Sequence, residues 1–426
     1  MTETKESAWS AGLQLLGRLE SAGHTAFLVG GCVRDRLLGR PLRDVDIATS
    51  ARPEQVMELF ASAIPTGLKH GTVTVREGGR LFEVTTYRRE GKYTDSRRPD
   101  DVWFVGSIEE DLARRDFTIN AIAFGSDGRL VDPFGGADDL RRGVIRTVGD
   151  PSERFGEDAL RLLRGVRFAA EFGFDFAPDT WDGLLAQRAK LRHIAMERVG
   201  AELDKMAAGH DPERAFRLLA ESGLLRYARE PLPACATPAE PQADSGERSV
   251  RGLADPDLRW AALLLRWGAD EAEAEELFRT LRLGVRRGAR VAAVVGLDRM
   301  LAADGGELPD LRARWISAVL RFGRAAAEDW LALAAVTAGR QLPPDVAGLA
   351  RSWLDGMAAA SVAELAVRGD EIVRATGRKP GPWVAATLRQ LLSDVALGTL
   401  PNERPALLVA AETMACDGDG SFYSKE

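Results

Sequence analysis

Cysteine is scarce. Cys32, Cys235 and Cys416 are the only three in 426 residues, and they have neither metal-ligand spacing nor a disulfide framework. A structural zinc is therefore not expected, and a reduced compartment fits. Histidine is nearly as rare: His24, His70, His193 and His210 are all there are, too few for a His-rich metal centre. No apolar run approaches the roughly 20 residues that span a bilayer. The polar start Met1-Thr2-Glu3-Thr4 has no signal-peptide core, so a cytoplasmic protein is expected. Positive charge is not in excess either. A net charge of −7 argues against a chain coated in nucleic acid, although local clusters matter more than the total. What is present is ordinary soluble composition, 45% hydrophobic and 28% charged, in a chain long enough for two to four domains.

The chain changes character near residue 135. Before it, glycine and short β-branched runs dominate, and Ala26 to Val29, Val45 to Thr49, Thr72 to Val75, Leu81 to Thr86 and Phe117 to Phe124 read as strands. Helical patterns at about 7 to 22, 32 to 38 and 53 to 61 interleave with them. After residue 135 strand signals almost vanish and amphipathic helices follow, from Glu157 to Phe172 through Asp257 to Trp267 and on to about 414. Pro231 to Ser249 reads as a loop or insertion, and no repeat of fixed period is evident. The expected fold class is α+β, a mixed-sheet head followed by an elongated all-helical remainder.

Asp44-Val45-Asp46 concentrates the chemistry. Residues i and i+2 of a strand share a face, so the two carboxylates converge and would repel unless one is protonated or both hold a hard divalent cation such as Mg²⁺. The preceding Gly30-Gly31 can approach phosphate, and together these features point to chemistry on a nucleoside triphosphate. A solvated Asp-x-Asp turn is the bland alternative. Glu83 sits centrally in the apolar run Leu81 to Thr86, where an unpaired carboxylate is costly unless the strand is an edge. If that strand lies beside Val45 to Thr49, the three acids could hold two Mg²⁺ about 4 Å apart for in-line phosphoryl displacement. Further on, Arg114-Arg115-Asp116 could fork onto phosphate or ribose, or simply brace the head through Asp111. Asp158 and Arg161, three apart on one helix, could read a base edge or form an ordinary ion pair.

Four ordered motifs resemble those of bacterial class II tRNA nucleotidyltransferases, in the DNA polymerase β superfamily. They are Leu28-Val29-Gly30-Gly31-Cys32-Val33-Arg34-Asp35 with Asp44-Val45-Asp46, then Asp111-Leu112-Ala113-Arg114-Arg115-Asp116-Phe117, then Asp132-Pro133-Phe134-Gly135-Gly136, then Glu157-Asp158-Ala159-Leu160-Arg161. They cover roughly residues 25 to 210. The resemblance implies CCA addition to the 3′ end of tRNA from CTP and ATP, with two Mg²⁺ ions and no protein partner required. Asp44 and Asp46 would be the metal ligands and Glu83 the third catalytic acid. Gly30, Gly31, Arg34, Arg115, Asp116, Asp158, Arg161 and Arg164 would bind the nucleotide, with Asp158 and Arg161 acting as a protein template. Residues 1–135 would be the catalytic head, 136–210 the neck, 211–300 the body and 301–426 the tRNA-binding tail.

Subtype rests on weaker signals. The polar stretch Arg88 to Pro99 resembles the loop that family members need to add the terminal A, which disfavours CC-only addition. A-only addition beside a separate CC-adding enzyme, or poly(A) synthesis, are the alternatives. Some relatives carry a His-Asp phosphohydrolase domain, but Leu265-Arg266 stands where its metal pair would fall, so hydrolysis is not expected. His70 could reach the cleft, a structural hydrogen bond being the safer assignment. Arg279, Arg282, Arg286, Arg287 and Arg290, in a stretch free of acids, form either a solvated helix face or a track for RNA phosphates.

Overall fold

The computed structural model describes residues 3–42, 44–90, 102–237, 250–302, 308–336 and 346–417. The expected loop at 88–99 lies almost wholly outside them. The chain divides into two compact units, one formed chiefly by Met1–Leu232, the other chiefly by Gln242–Arg279 and Leu283–Glu426.

The first unit is built on a seven-stranded sheet. Its strands are β1 (Ala26–Val29), β2 (Asp46–Thr49), β3 (Ala63–Gly67), β4 (Thr72–Glu77), β5 (Arg80–Thr86), β8 (Ala123–Phe124) and β9 (Leu130–Val131), in the order β3-β4-β5-β2-β1-β8-β9. β6 (Arg88–Glu90) and β7 (Val102–Phe104) form a separate ribbon. Within the seven-stranded sheet only β2 and β5 pair in parallel, which sets Asp46 opposite Glu83. Helix α1 (Glu3–Ser21) packs closely on one face, where a Cβ on Gly12 would stand 3.0 Å from Val45 and 3.1 Å from Leu28. On the other face Val29 and Ala48 join Ile108 and Leu112 of α4 (Ile108–Ala113) in a buried cluster. Strand alternation puts Asp46 on that second face, beyond the cover of the cluster. Helices α2 (Gly31–Leu37) and α3 (Pro53–Leu59) follow β1 and β2.

Two expectations are corrected. Phe117 to Phe124 is not one strand: Thr118–Asn120 is a 3₁₀ turn, and only Ala123–Phe124 is extended. The Asp116 carboxylate accepts from the Phe117 backbone N–H (2.8 Å) and the Asn120 amide (3.0 Å), and such local bonds compete with a strand ladder. Nor is Glu157 to Phe172 a continuous helix. It breaks at Asp158 (φ −133, ψ 106) between α6 (Pro151–Glu157) and α7 (Leu160–Phe172).

Helices α5 (Gly136–Arg142), α8 (Pro178–Gln187), α9 (Met196–Ala208) and α10 (Pro212–Ser222) complete this unit. The buried stripe of α7, including Leu162, Leu163 and Val166, faces inward as its periodicity predicts, and Phe117 meets Phe168 edge-on at 5.9 Å. The second unit is helical throughout its described residues, from Pro256–Arg266 to Arg404–Asp417, around an interior that includes Trp260, Trp315 and Trp330. No helix among the described residues is long and apolar enough to cross a membrane.

Candidate active site

The parallel pairing of β2 and β5 meets the condition under which Glu83 would stand beside Asp46. Asp46 and Glu83 are direct cross-strand partners, with Asp44 two residues before Asp46. Asp46 is half-buried while Asp44 and Glu83 are exposed. Burial, with the neighbouring Glu83 and Asp44 charges and against the pull of Arg115, pushes the Asp46 carboxyl up to about 6. Among the described residues no three His, Cys, Asp or Glu side chains are arranged to enclose a metal ion. The donor set nonetheless suits a hard divalent cation, because it is all oxygen and carries charge that burial and mutual repulsion disfavour.

Beside Asp46 opens a cleft of about 550 Å³, lined among others by Gly30, Gly31, Asp46, Arg115, Asp158 and Arg198. Gly30 is needed twice over. Its φ of 70° lies in the left-handed region, and a Cβ there would stand 2.6 Å from the Arg115 guanidinium. Arg114 and Arg115 both pair with Asp111 (2.9 and 3.2 Å), so the bracing role is real. Arg115 also donates to the Asn120 carbonyl (3.3 Å), and its Nε has no hydrogen-bond partner among the described residues.

Asp116 and Arg34, nucleotide contacts by the resemblance, both line the cleft and are also held by other side chains. Besides the Phe117 N–H and the Asn120 amide, Asp116 accepts from Arg164 through Nε (2.8 Å) and Nη2 (2.6 Å). Both oxygens thus accept from donors within the protein. Burial alone would raise its pKa, but Arg164, the Asn120 hydrogen bond and Arg161 outweigh it and hold the carboxyl far below the usual range. Asp116 therefore fixes Arg164 at the cleft wall. Arg34 is similarly tied, to Asp35 (2.9 Å) and the Asn120 side-chain oxygen (2.6 Å), with its guanidinium over Phe168 and Phe172. Asn120 joins these two systems.

Asp158 and Arg161 line the same cleft but do not pair with each other. The helix break frees Asp158 to accept from the Leu160 N–H (3.0 Å) through one oxygen and from Arg198 of α9 (3.0 Å) through the other. Arg161 turns to Glu157 (2.5 Å) and to the carbonyls of Arg154 and Arg114. Arg198 is the residue that sequence reasoning missed. It comes from a helix 40 residues away in the chain and carries no local signal.

Four of the five arginines in the run pair with acids. Arg279 pairs with Glu276 (3.5 Å), Arg282 with Glu230 (2.9 Å), Arg287 with Asp257 (2.7 Å), and Arg290 with Asp329 (2.7 Å) and Asp255 (2.8 Å). Arg286 is exposed. The stretch lacks acids of its own, but the fold brings them from elsewhere. His70 ends an exposed 3₁₀ turn, and its carbonyl accepts from Arg88. Leu265 is buried in the second unit.

A mixed-sheet head with the paired strand acids Asp46 and Glu83, preceded by Asp44, beside a glycine turn and an arginine-rich cleft defines a nucleotidyltransferase. Residues 26–146 match the family model of the poly A polymerase head domain. Residues 173–232 match a probable RNA- and SrmB-binding site of polymerase A, and residues 253–411 a putative tRNA nucleotidyltransferase domain 2. The CCA-adding enzyme of Geobacillus stearothermophilus is 39% identical over 396 residues, 92% of this chain and 94% of that one. That of Limosilactobacillus fermentum is 35% identical over 416 residues, 96% and 98% of the two chains. The crystal structure of the Bacillus stearothermophilus CCA-adding enzyme in complex with CTP superposes with a TM-score of 0.79 at 35% identity, covering 97% of this chain and 98% of that one. The chain belongs to the CCA-adding enzyme family.

Proposed function

We propose that this protein builds or repairs the CCA terminus of tRNA in the cytoplasm, transferring nucleotides from CTP and ATP to the 3′ end without a nucleic-acid template. The observation that carries this reading is a single cleft in which Asp46 shares the walls with Gly30, Arg115 and the pair Asp158 with Arg198. Chemistry and base selection therefore meet within one unit.

Asp44 and Asp46 would hold Mg²⁺, with Glu83 on the primer side. When bound, the metal ions supply activation of the attacking 3′ hydroxyl and neutralisation of the departing pyrophosphate. The protein's own part is positioning. The Gly30-Gly31 backbone admits the triphosphate closely, and Arg115 and Arg164 supply positive charge along it. Asp158 and Arg161 present an acceptor and a donor to the base. Cytosine and adenine both offer an amino donor beside a ring-nitrogen acceptor, whereas guanine and uracil reverse that order. Arg198 orients Asp158 through their hydrogen bond, and the helices beyond residue 210 would carry the tRNA body.

The test uses tRNAs lacking the whole CCA end, its last two nucleotides, or only the final A, each with labelled CTP or ATP. Correct extension of all three is expected. Extension of the last substrate alone would make this an A-adding enzyme instead. Asp44→Ala should abolish incorporation while tRNA binding is largely kept.

A further inference from the structure

Proceeding away from the nucleotide cleft, the register of the sheet sets four side chains in a row on one face: Asp46 of β2, Glu83 of β5, Thr74 of β4 and Ile64 of β3. Neighbouring strands lie about 4.8 Å apart, so this row runs roughly 14 Å from the catalytic carboxylate to the sheet edge. Leu81, two residues before Glu83, shares that face and stands opposite Arg76. The face is unusual for a solvent-facing sheet. Leu81, two residues from Glu83, is 60% exposed, and Ile64, two strands further out, is 42% exposed. Arg76 is exposed and forms no ion pair among the described residues.

Reaction geometry says what such a face would meet. None of the cleft-lining residues comes from β3, β4 or β5; the sheet residues and turns that line it belong to β1, β2 and the segment before β8. The triphosphate thus lies on the β1 side of Asp46. In-line displacement requires the attacking hydroxyl to enter opposite the departing pyrophosphate, and the side opposite is the row through Glu83.

We infer that Leu81 and Ile64 are positioning residues for the RNA primer. They form an apolar seat for the ribose and base faces of the last one or two nucleosides of the acceptor strand, with Arg76 available to the adjoining phosphate. This rests on the proposed tRNA substrate. The chemistry fits single-stranded RNA, whose bases offer apolar faces regardless of sequence while its phosphates seek arginine.

The experiment compares the intact protein with the Leu81→Ser/Ile64→Ser double variant and with Arg76→Ala. Because both apolar side chains are exposed, thermal stability should hold. KM for a tRNA lacking CCA should rise about tenfold in the double variant, with KM for CTP unchanged. Arg76→Ala should flatten the dependence of RNA affinity on salt. Independently, a tRNA ending in 4-thiouridine should crosslink to the peptides that contain Leu81 or Ile64. An unchanged KM for RNA, or crosslinks confined to peptides outside β3, β4 and β5, overturns the inference. The crosslink reports the seat whether or not a nucleotide is added, so an inactive wild-type protein would count against the proposed function alone.

Discussion

Asp46→Asn should make the metal-free protein more stable while destroying its activity. The Asp46 carboxyl is raised from 3.8 to about 6, chiefly by burial and then by Glu83. A native pKa above the unfolded one means that the ionised native form carries a penalty. That penalty is absent below about pH 4, grows between about pH 4 and 6, and is complete above about pH 6. Two units correspond to about 3 kcal/mol at most, and about half of it is expressed at pH 5. For a unit of this size, 1 kcal/mol moves Tm by about 2 to 4 °C, so a rise of up to about 6 to 12 °C is expected in EDTA at about pH 7.5. Calorimetry of both proteins from about pH 5 to 8 reads it, and millimolar Mg²⁺ should narrow the gap by stabilising the wild type preferentially. A variant no more stable than the wild type in EDTA, or a gap indifferent to pH, would refute the reasoning.

Asp116→Ala leaves Arg164 without its carboxylate, and urea unfolding should show a loss of about 3 to 5 kcal/mol; less than about 1 kcal/mol would contradict the buried network. Because the native Asp116 pKa is depressed, its contribution is present above about pH 4 and is lost as pH falls through the native value, so the gap between wild type and variant should shrink in acid. Arg198→Ala removes a partly exposed pair and should cost under about 1 kcal/mol of stability. It should, however, weaken discrimination against UTP and GTP about tenfold, which competition assays measure and which an unchanged selectivity would contradict. Gly30→Ala places a side chain at φ 70°, for about 1 kcal/mol, and displaces Arg115; KM for CTP should rise about tenfold with KM for tRNA held.

Strand logic carried far because period-two alternation is a local property. The apolar flanks of Glu83 marked its strand, and its place beside Val45 to Thr49, left open by the sequence, is filled by the observed register that pairs Asp46 with Glu83. The same logic failed at Phe117 to Phe124, where hydrogen bonds among Asp116, Phe117 and Asn120 close a turn that hydrophobic periodicity does not record. It failed at Asp158 for a related reason, since a carboxylate that caps the next helix through the Leu160 N–H interrupts a pattern that otherwise reads as helical.

Charged side chains were the least legible, because a partner's identity depends on tertiary contacts. The arginine run holds no acid between residues 279 and 290, yet Asp255, Asp257 and Asp329 converge on Arg287 and Arg290 from other helices. Local charge patterning therefore overstates free positive charge, and the correction has the same physical root as the site's one missed member. Arg198 is invisible beside Met196 and Glu197 but becomes specific once α9 packs against α7 and brings it to Asp158. Desolvation makes such pairings obligatory wherever charge is half-buried. A motif thus identifies which acid must be held, while only the packed helices determine which base holds it. In this protein that division falls between Asp46 and Glu83, whose placement is local to two paired strands, and Asp158, whose orientation depends on a helix 40 residues downstream.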